Sequence, residues 1–162
     1  PGKEKDAANA LIQQGCDVVA QHTDSPAPLQ AAEEAGVVGF GQASDQMKFA
    51  PKAQLTATID NWGPYYIDKV GQVMDGTWTT GDYFGHMNEG AVQMAPFANM
   101  PPEVEAEAQR VKDAITNGEL FGFTGPINKQ DGSVFLAEGE VATRAQLDTM
   151  MFYVEGIKSP MP

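Results

Sequence analysis

The chain has 162 residues, with a hydrophobic fraction of 42% and a charged fraction of 20%, which suits one globular domain with a sizeable core and excludes a disordered tail. Its 22 acidic and 10 basic residues give a formal net charge of -12, so nucleic-acid phosphates and anionic membrane surfaces find little to bind, and no nucleic-acid partner is expected. Cys16 is the only cysteine, which leaves no internal disulfide and no thiolate-rich metal site.

Residues 3–14, KEKDAANALIQQ, predict a helix in which Ala8, Leu11 and Ile12 form an apolar stripe and Gly15 supplies the stop. DVVAQ, 17–21, predicts a short strand, with Cys16 at its mouth as a small buried side chain. A second helix follows over 26–35, with Pro26 at its first position and Gly36 as its C-terminal signal, and VVGFG, 37–41, is the next strand. Helix and strand alternating at this pitch argue for an α/β architecture, a parallel sheet with flanking helices. QLTATI, 54–59, predicts a third strand. It ends in DNWGPYY, where Gly63 and Pro64 open a helix expected to bury Ile67, Val70 and Met74 before Asp75 and Gly76 close it.

Farther along, DYFGHMNEGAVQMAPF, 82–97, suggests short strands around Asn88 to Gly90. PPEVEAEAQRVKDAITNG predicts a helix, because Val104, Ala108, Val111 and Ile115 recur at helical spacing and Asn117-Gly118 ends it. Asp131-Gly132 is a hairpin-turn signal and Gly125-Pro126 a second turn, and TRAQLDTMMFYVEGI reads as a short helix leading into an extended tail.

In an open parallel sheet, ligands sit beyond the carboxyl ends of the strands, where loops and helix N-termini converge. Three such ends are legible, at 21–25, 42–47 and 59–63, and all are polar. At the first, Ser25 is the natural N-cap before Pro26, with Thr23 and Asp24 able to accept from free N–H groups. His22 lies outside any cap and is either a satisfied half-buried histidine or a ligand contact. At the second, Asp45 either caps its own turn or, ionised, accepts from the hydroxyls of a sugar or the N–H groups of a heterocycle. At the third, Asp60, Asn61 and Trp62 combine a charge, an amide and a ring, and Trp62 is either core packing or a surface on which a ligand ring stacks. His22, Asp24 and Ser25 are adjacent in an extended turn, where side chains seldom converge, and no G-x-S-x-G elbow, P-loop or G-x-G-x-x-G is present. His86 is the one other histidine and reads as a strand-end residue. No catalytic residue, metal or cofactor is expected.

The run KEKDAANALIQQGCDVVAQHTDSPAPLQAAEEAGVVGFGQASDQMKFAPKAQLTATIDNWGPYY, with the later segments GAVQMAPF, FTGPINKQDG and MMFYVEGI, resembles the basic membrane protein (BMP or PnrA-like) family of substrate-binding proteins for ABC transporters. The resemblance implies part of a type I periplasmic binding protein lobe that lacks its N-terminal partner lobe. Residues 1–97 would be the α/β ligand-binding lobe, and 98–162 the helix, hairpin and C-terminal crossover or tail of the same binding protein. Starting at Pro1 without a preceding strand, the chain reads as an excised or processed piece.

The implied solute is small, polar and heteroaromatic, such as a nucleoside or nucleobase. Its implied partners are the missing N-terminal lobe or fragment and an ABC permease in the membrane. The implied place of work is the periplasm or the extracytoplasmic face, with a lipid anchor at the missing N-terminus as one form. By motif, the turn His22, Thr23, Asp24 and Ser25 lines the solute, with Ser25 where nucleoside-binding members often have glycine. Asp45 matches an aspartate that binds ribose hydroxyls in those members. Asp60 stands where they have lysine and where close relatives have tryptophan, which favours a ligand with extra N–H donors. The resemblance also implies a strand ahead of helix 3–14 that separates strands 17–21 and 37–41. A nucleoside-processing enzyme using His22 with Asp24, Asp45 or Asp60, and a ligand-binding sensor, are the alternative readings.

Overall fold

In the computed structural model, which describes residues 1–161, helix α1 (Gly2–Gln13) leads to strand β1 (Val18–Val19), helix α2 (Ala27–Ala35), strand β2 (Val38–Gly41) and strand β3 (Gln54–Asp60). The end of α2 follows its sequence signal. Gly36 takes the left-handed conformation at φ 72°, its N–H donates to the Glu33 carbonyl (3.2 Å) and that of Val37 to the Ala32 carbonyl (3.0 Å), so the last helical carbonyls are satisfied as the chain turns toward β2.

β1, β2 and β3 are parallel neighbours, and a fourth strand, β4 (Val92–Met94), pairs antiparallel with β3, Thr58 opposite Met94. Two expectations are corrected here. The sheet is mixed and not purely parallel, because the chain returns to β3 after a long excursion and enters from the opposite end. No strand separates residues 17–21 from 37–41 either, since Val18 lies directly opposite Val38 and Val19 opposite Gly39. The reason is visible at Gly39, where an added Cβ would sit 2.7 Å from the Val19 carbonyl oxygen and 3.0 Å from Leu29 Cδ1. The missing side chain lets β1 and α2 press on β2 together. Gly39→Ala is therefore expected to destabilise the protein by about 1–3 kcal/mol through overpacking, as read by urea denaturation. Unchanged stability would contradict this pairing.

The core on the α1–α2 face is built from small residues. Ala8, Val19, Leu29, Ala31, Ala32, Ala50 and Ala53 form one buried cluster, with Ile12 and Val37 packed against it. Alanines let two helices lie close to the sheet, and Leu29 fills the space they leave. An exposed ion pair, Lys5 Nζ to Glu34 at 2.6 Å, joins α1 to α2 at the surface, where such pairs contribute about 0–1 kcal/mol.

The next helix, α3 (Gly63–Met74), starts at the predicted Gly63-Pro64 signal. Its expected buried face is corrected, because Ile67, Val70 and Met74 are 76%, 58% and 81% exposed. Helical spacing marks an apolar stripe without supplying a surface to cover it. Of the short strands expected in 82–97 around Asn88 to Gly90, one is present as β4 just after them, while the residues before it are not a strand. Met87–Glu89 form a 3-10 turn, started by the His86 N–H donating to the Glu89 carboxylate (3.0 Å) and ended by Gly90 at φ 75°. Cys16, expected to be buried, is exposed, because its N–H still bonds back to the Leu11 carbonyl (3.2 Å) in the turn that leaves α1. Helix α4 (Pro102–Thr116) carries Glu103 and Glu105 in its first turn, where they complement the helix dipole, and buries no residue.

The chain divides into two compact units, Pro1–Asp113 and Ala114–Pro162. In the second, β5 (Ile127–Asn128) and β6 (Val134–Leu136) form the hairpin predicted from Asp131-Gly132. Asp131 Oδ1 accepts from the Ser133 N–H (2.9 Å) and Gly132 stands at φ 84°. A short helix, α5 (Arg144–Asp148), is capped by Thr143, whose Oγ1 accepts from the Gln146 N–H (3.3 Å). The extended segment beyond it is tied down by Gln130, whose Nε2 donates to the carbonyls of Ile157 (2.6 Å) and Ser159 (2.8 Å). Among the described residues, no helix is long and apolar enough to cross a membrane.

Candidate functional site

β1, β2 and β3 run in one direction, so their carboxyl ends share an edge of the sheet, and the three polar segments read from the sequence leave from that edge. A chain of hydrogen bonds joins the first two. The Thr23 hydroxyl donates to Gln21 Oε1 (2.7 Å), with the Ser25 carbonyl also in reach at 3.1 Å. Gln21 Nε2 donates to Gln46 Oε1 (3.1 Å) and lies 3.3 Å from the Phe40 carbonyl. The Gln46 N–H donates to Gln54 Oε1 (3.0 Å), and Gln54 Nε2 donates to Asp45 Oδ1 (2.8 Å). The third end joins through its backbone, as the Asp60 N–H donates to the Ala43 carbonyl (3.1 Å). The loop after β2 thus touches both of its neighbours.

In the first turn, His22 and Asp24 are exposed, while Thr23 and Ser25 are half-buried. The capping expected there is corrected. Pro26 occupies the N-cap position of α2. Ser25 stands one place earlier and accepts from the Ala27 N–H at 3.3 Å, while Thr23 donates and does not accept. The Ser25 hydroxyl donates to the carboxylate of Glu4 on α1, and this bond is the main cause that holds the Glu4 carboxyl below its ordinary range. A Ser25–His22–Asp24 triad is not formed, since the serine proton is directed at Glu4.

Asp45 is exposed and does two things at once. Its Oδ1 accepts from the Met47 N–H (2.9 Å), which caps its own turn, and from Gln54; Oδ2 has no partner among the described residues. The Gln54 amide, followed by the Met47 N–H, favours the charged form and lowers its pKa. A depressed folded-state pKa means that these bonds stabilise the protein fully above the unfolded aspartate value and lose that contribution as pH falls through the lower folded value. The Asp45 carboxyl carbon, followed by NMR, is expected to titrate below the ordinary aspartate range. A midpoint inside that range would contradict the bonding described.

Beyond β3, a cavity of about 170 Å³ is lined by Asp60, Asn61, Trp62, Tyr83, Phe84 and Ala91 among others. The Trp62 ring meets Tyr65 edge-on with centroids 5.7 Å apart, and Tyr83 lies 6.1 Å from Trp62 and 4.5 Å from Tyr65. Asn61 holds the far wall in place, its N–H donating to the Ala91 carbonyl (2.8 Å) and its Nδ2 to the Gly90 carbonyl (2.9 Å). Gly85 is required by packing, since a Cβ there would lie 2.3 Å from both the Ala91 Cβ and the Tyr83 hydroxyl. Trp62 is 48% exposed, so much of its indole is open to solvent, and the exposed Asp60 carboxylate has no hydrogen-bond partner among the described residues. His86 is the N-cap of the 3-10 turn, with its ring edge-on to Phe84 of the cavity wall.

Tyr83, Phe84 and the three glutamines were not singled out from the sequence. An aromatic pair in the glycine-flanked stretch GDYFG was the available sign of the first two. Chemically, the edge combines carboxylates, hydroxyl lone pairs and aromatic faces, which suits a planar ligand carrying hydrogen-bond donors. No group of three or more His, Cys, Asp or Glu side chains able to hold a metal ion occurs among the described residues.

The chain is 54% identical over all 162 residues to a purine-binding protein of Brucella abortus, covering 46% of that protein. It is 29% identical to a Haloferax volcanii protein described as an ABC transporter glucose-binding protein, covering the whole chain and 39% of the relative. The chain thus spans less than half the length of both relatives. Among solved structures, a transcriptional activator from Bacillus halodurans superposes with a TM-score of 0.62 at 18% identity, over 72% of this chain and 42% of that one. An ABC transporter solute-binding protein from Conexibacter woesei superposes with a TM-score of 0.52 at 20% identity, over 74% and 41%. These two likenesses establish a shared fold, a mixed α/β sheet flanked by helices. Residues 1–122 match the family model described as ABC transporter substrate-binding protein PnrA-like, and the chain belongs to that family.

Proposed function

We propose that this chain forms the solute-gripping part of an ABC transporter substrate-binding protein that captures a purine base or nucleoside and delivers it to a membrane permease, working in the periplasm or on the extracytoplasmic face. The observation that carries the reading is the strand-end edge itself, where Asp60 lines the aromatic cavity of Trp62 and Tyr83 and the polar segments bearing Thr23 and Asp45 leave the sheet from the same edge. Aromatic walls take the flat ring, and carboxylates accept from its N–H groups. Both interactions strengthen when closure removes water. The 54% identity to a purine-binding protein favours a purine over a sugar.

In this reading His22, Thr23, Asp24, Ser25, Asp45, Asp60 and Trp62 contact the solute, and no covalent step is involved. Residues 1–97 are the α/β ligand-binding lobe of a type I periplasmic binding protein, and 98–162 supply its helix, hairpin and crossover or tail. An N-terminal lobe closes over the solute, and the open stripe of Ile67, Val70 and Met74 on α3 offers it an apolar seat. Isothermal titration of the full-length protein with adenine, adenosine and glucose tests the proposal. Saturable binding of a purine that is recovered unchanged is expected, whereas turnover, or binding of glucose alone, would overturn it.

A further inference from the structure

We propose that Gln54 is a positioning residue for this site: through Asp45 and a relay of glutamines it fixes a polar wall that turns acceptors and not donors toward the solute, which is therefore selected for the donors it carries. The inference rests on the purine reading above and names the device that gives that site its selectivity.

Gln54 is the first residue of β3 and is fully buried, at 0% exposed. A buried amide is costly unless both ends are bonded, and here both are. Carboxylates and carbonyls only accept, so the polarity of the relay follows link by link. Asp45 Oδ1 requires the Gln54 nitrogen on its side, at 2.8 Å, which leaves Gln54 Oε1 for the Gln46 N–H at 3.0 Å. The Gln46 side chain, in a residue 4% exposed, gives its nitrogen to the Gln42 carbonyl (3.2 Å), so its oxygen faces Gln21 Nε2 (3.1 Å). Gln21 then has only its oxygen left, and this receives the Thr23 hydroxyl proton at 2.7 Å.

The outcome is that each of these side chains directs a donor inward, Gln54 to Asp45, Gln46 to Gln42, Gln21 to Gln46 and Thr23 to Gln21. At its two ends, Thr23 Oγ1 and Asp45 Oδ2 are left with lone pairs. A Cβ on Gly41 of the neighbouring strand would lie 2.7 Å from the Ala57 Cβ and 2.9 Å from Gln54 Oε1, so the glycine leaves the amide its room. A wall of this polarity rewards a ring that bears an amino group and discriminates against the same ring without one, because the unpaired acceptors must then lose water for nothing in return.

The test uses the full-length protein, adenine, and unsubstituted purine, which lacks the exocyclic amino group. Titration calorimetry is expected to give adenine about tenfold tighter binding than purine. Equal binding, or a preference for purine, would overturn the proposal. Gln54→Met is expected to weaken adenine about tenfold and purine less than about twofold, and in an Asp45→Asn background to change adenine less than about twofold. Losses that add in the double variant would make Gln54 a merely structural residue and overturn the proposal.

A ligand-free readout separates this inference from the purine reading. In Gln54→Met the Asp45 carboxyl carbon is expected to titrate at higher pH than in the unaltered protein. The titratable groups on the surrounding elements, His22 and Asp24 on the turn, Lys48 and Lys52 on the loop and Asp60 at the end of β3, are unchanged in that variant. If neither ring binds, the purine reading falls, and the relay is judged by this signal alone: a midpoint that moves up supports it, and one that stays put overturns it. Should Gln54→Met fail to fold, the adenine-to-purine ratio of the unaltered protein decides.

Discussion

Replacing Leu29 with alanine is expected to lower the unfolding free energy by about 3–5 kcal/mol, the upper part of the range for a buried leucine. Leu29 is fully buried on α2, and the cluster around it is made mostly of alanines, Ala8, Ala31, Ala32, Ala50 and Ala53. An alanine has no side-chain torsion with which to lean into a vacated space. Collapse would need movement of helix against sheet, so most of the cavity should persist and the cost should stay high. Leu11, half exposed on α1, is the control, and its replacement by alanine is expected to cost less than about 1 kcal/mol. Urea denaturation of the two variants checks both values, and similar losses would show that the core is not centred where α2 meets the sheet.

Trp62→Ala is expected to weaken adenine binding by about 2 kcal/mol, close to thirtyfold, the size of a lost base-stacking contact. Unfolding stability should fall by less than about 1 kcal/mol, because much of the indole is already in water. Tyr65 and Tyr83 hold the ring edge-on and tilted, so its orientation is set before a ligand arrives and little ordering entropy opposes stacking. Calorimetric titration paired with denaturation separates the two roles. A large stability loss with affinity nearly unchanged would make Trp62 a packing residue of the cavity wall.

Local signals carried most of the element order. Pro26, Gly36 and the Gly63-Pro64 pair each marked a helix end at or within a residue of where it lies, and Asp131-Gly132 marked the hairpin. Strand adjacency is another matter. Nothing within VVGFG states that Val38 faces Val18, and only the pressure of Val19 and Leu29 on Gly39, a long-range fact, shows why a glycine is there. Periodicity likewise identified the stripe of α3 and misjudged its burial, because burial requires a covering surface that the helix does not encode.

The site divides along the same line. His22, Thr23, Asp24, Ser25, Asp45, Asp60 and Trp62 were legible as polar or aromatic groups at strand ends. Gln21, Gln46 and Gln54 were not, since an amide looks ordinary until its partners are known. Gln54 carried one faint sign, a large polar side chain opening the otherwise apolar and small strand LTATI. The serine stands one place outside the cap for a local reason, since α2 starts at Ala27 with Pro26 as its N-cap, and the partner of the Ser25 proton, Glu4 on a different helix, had no local sign.

The most direct test is a crystal structure of the full-length protein grown with adenine. The ring is expected at this strand-end edge, against the indole of Trp62 and with its amino group within hydrogen-bond distance of a carboxylate at 45 or 60. Adenine seated away from the carboxyl ends of β1, β2 and β3 would contradict it.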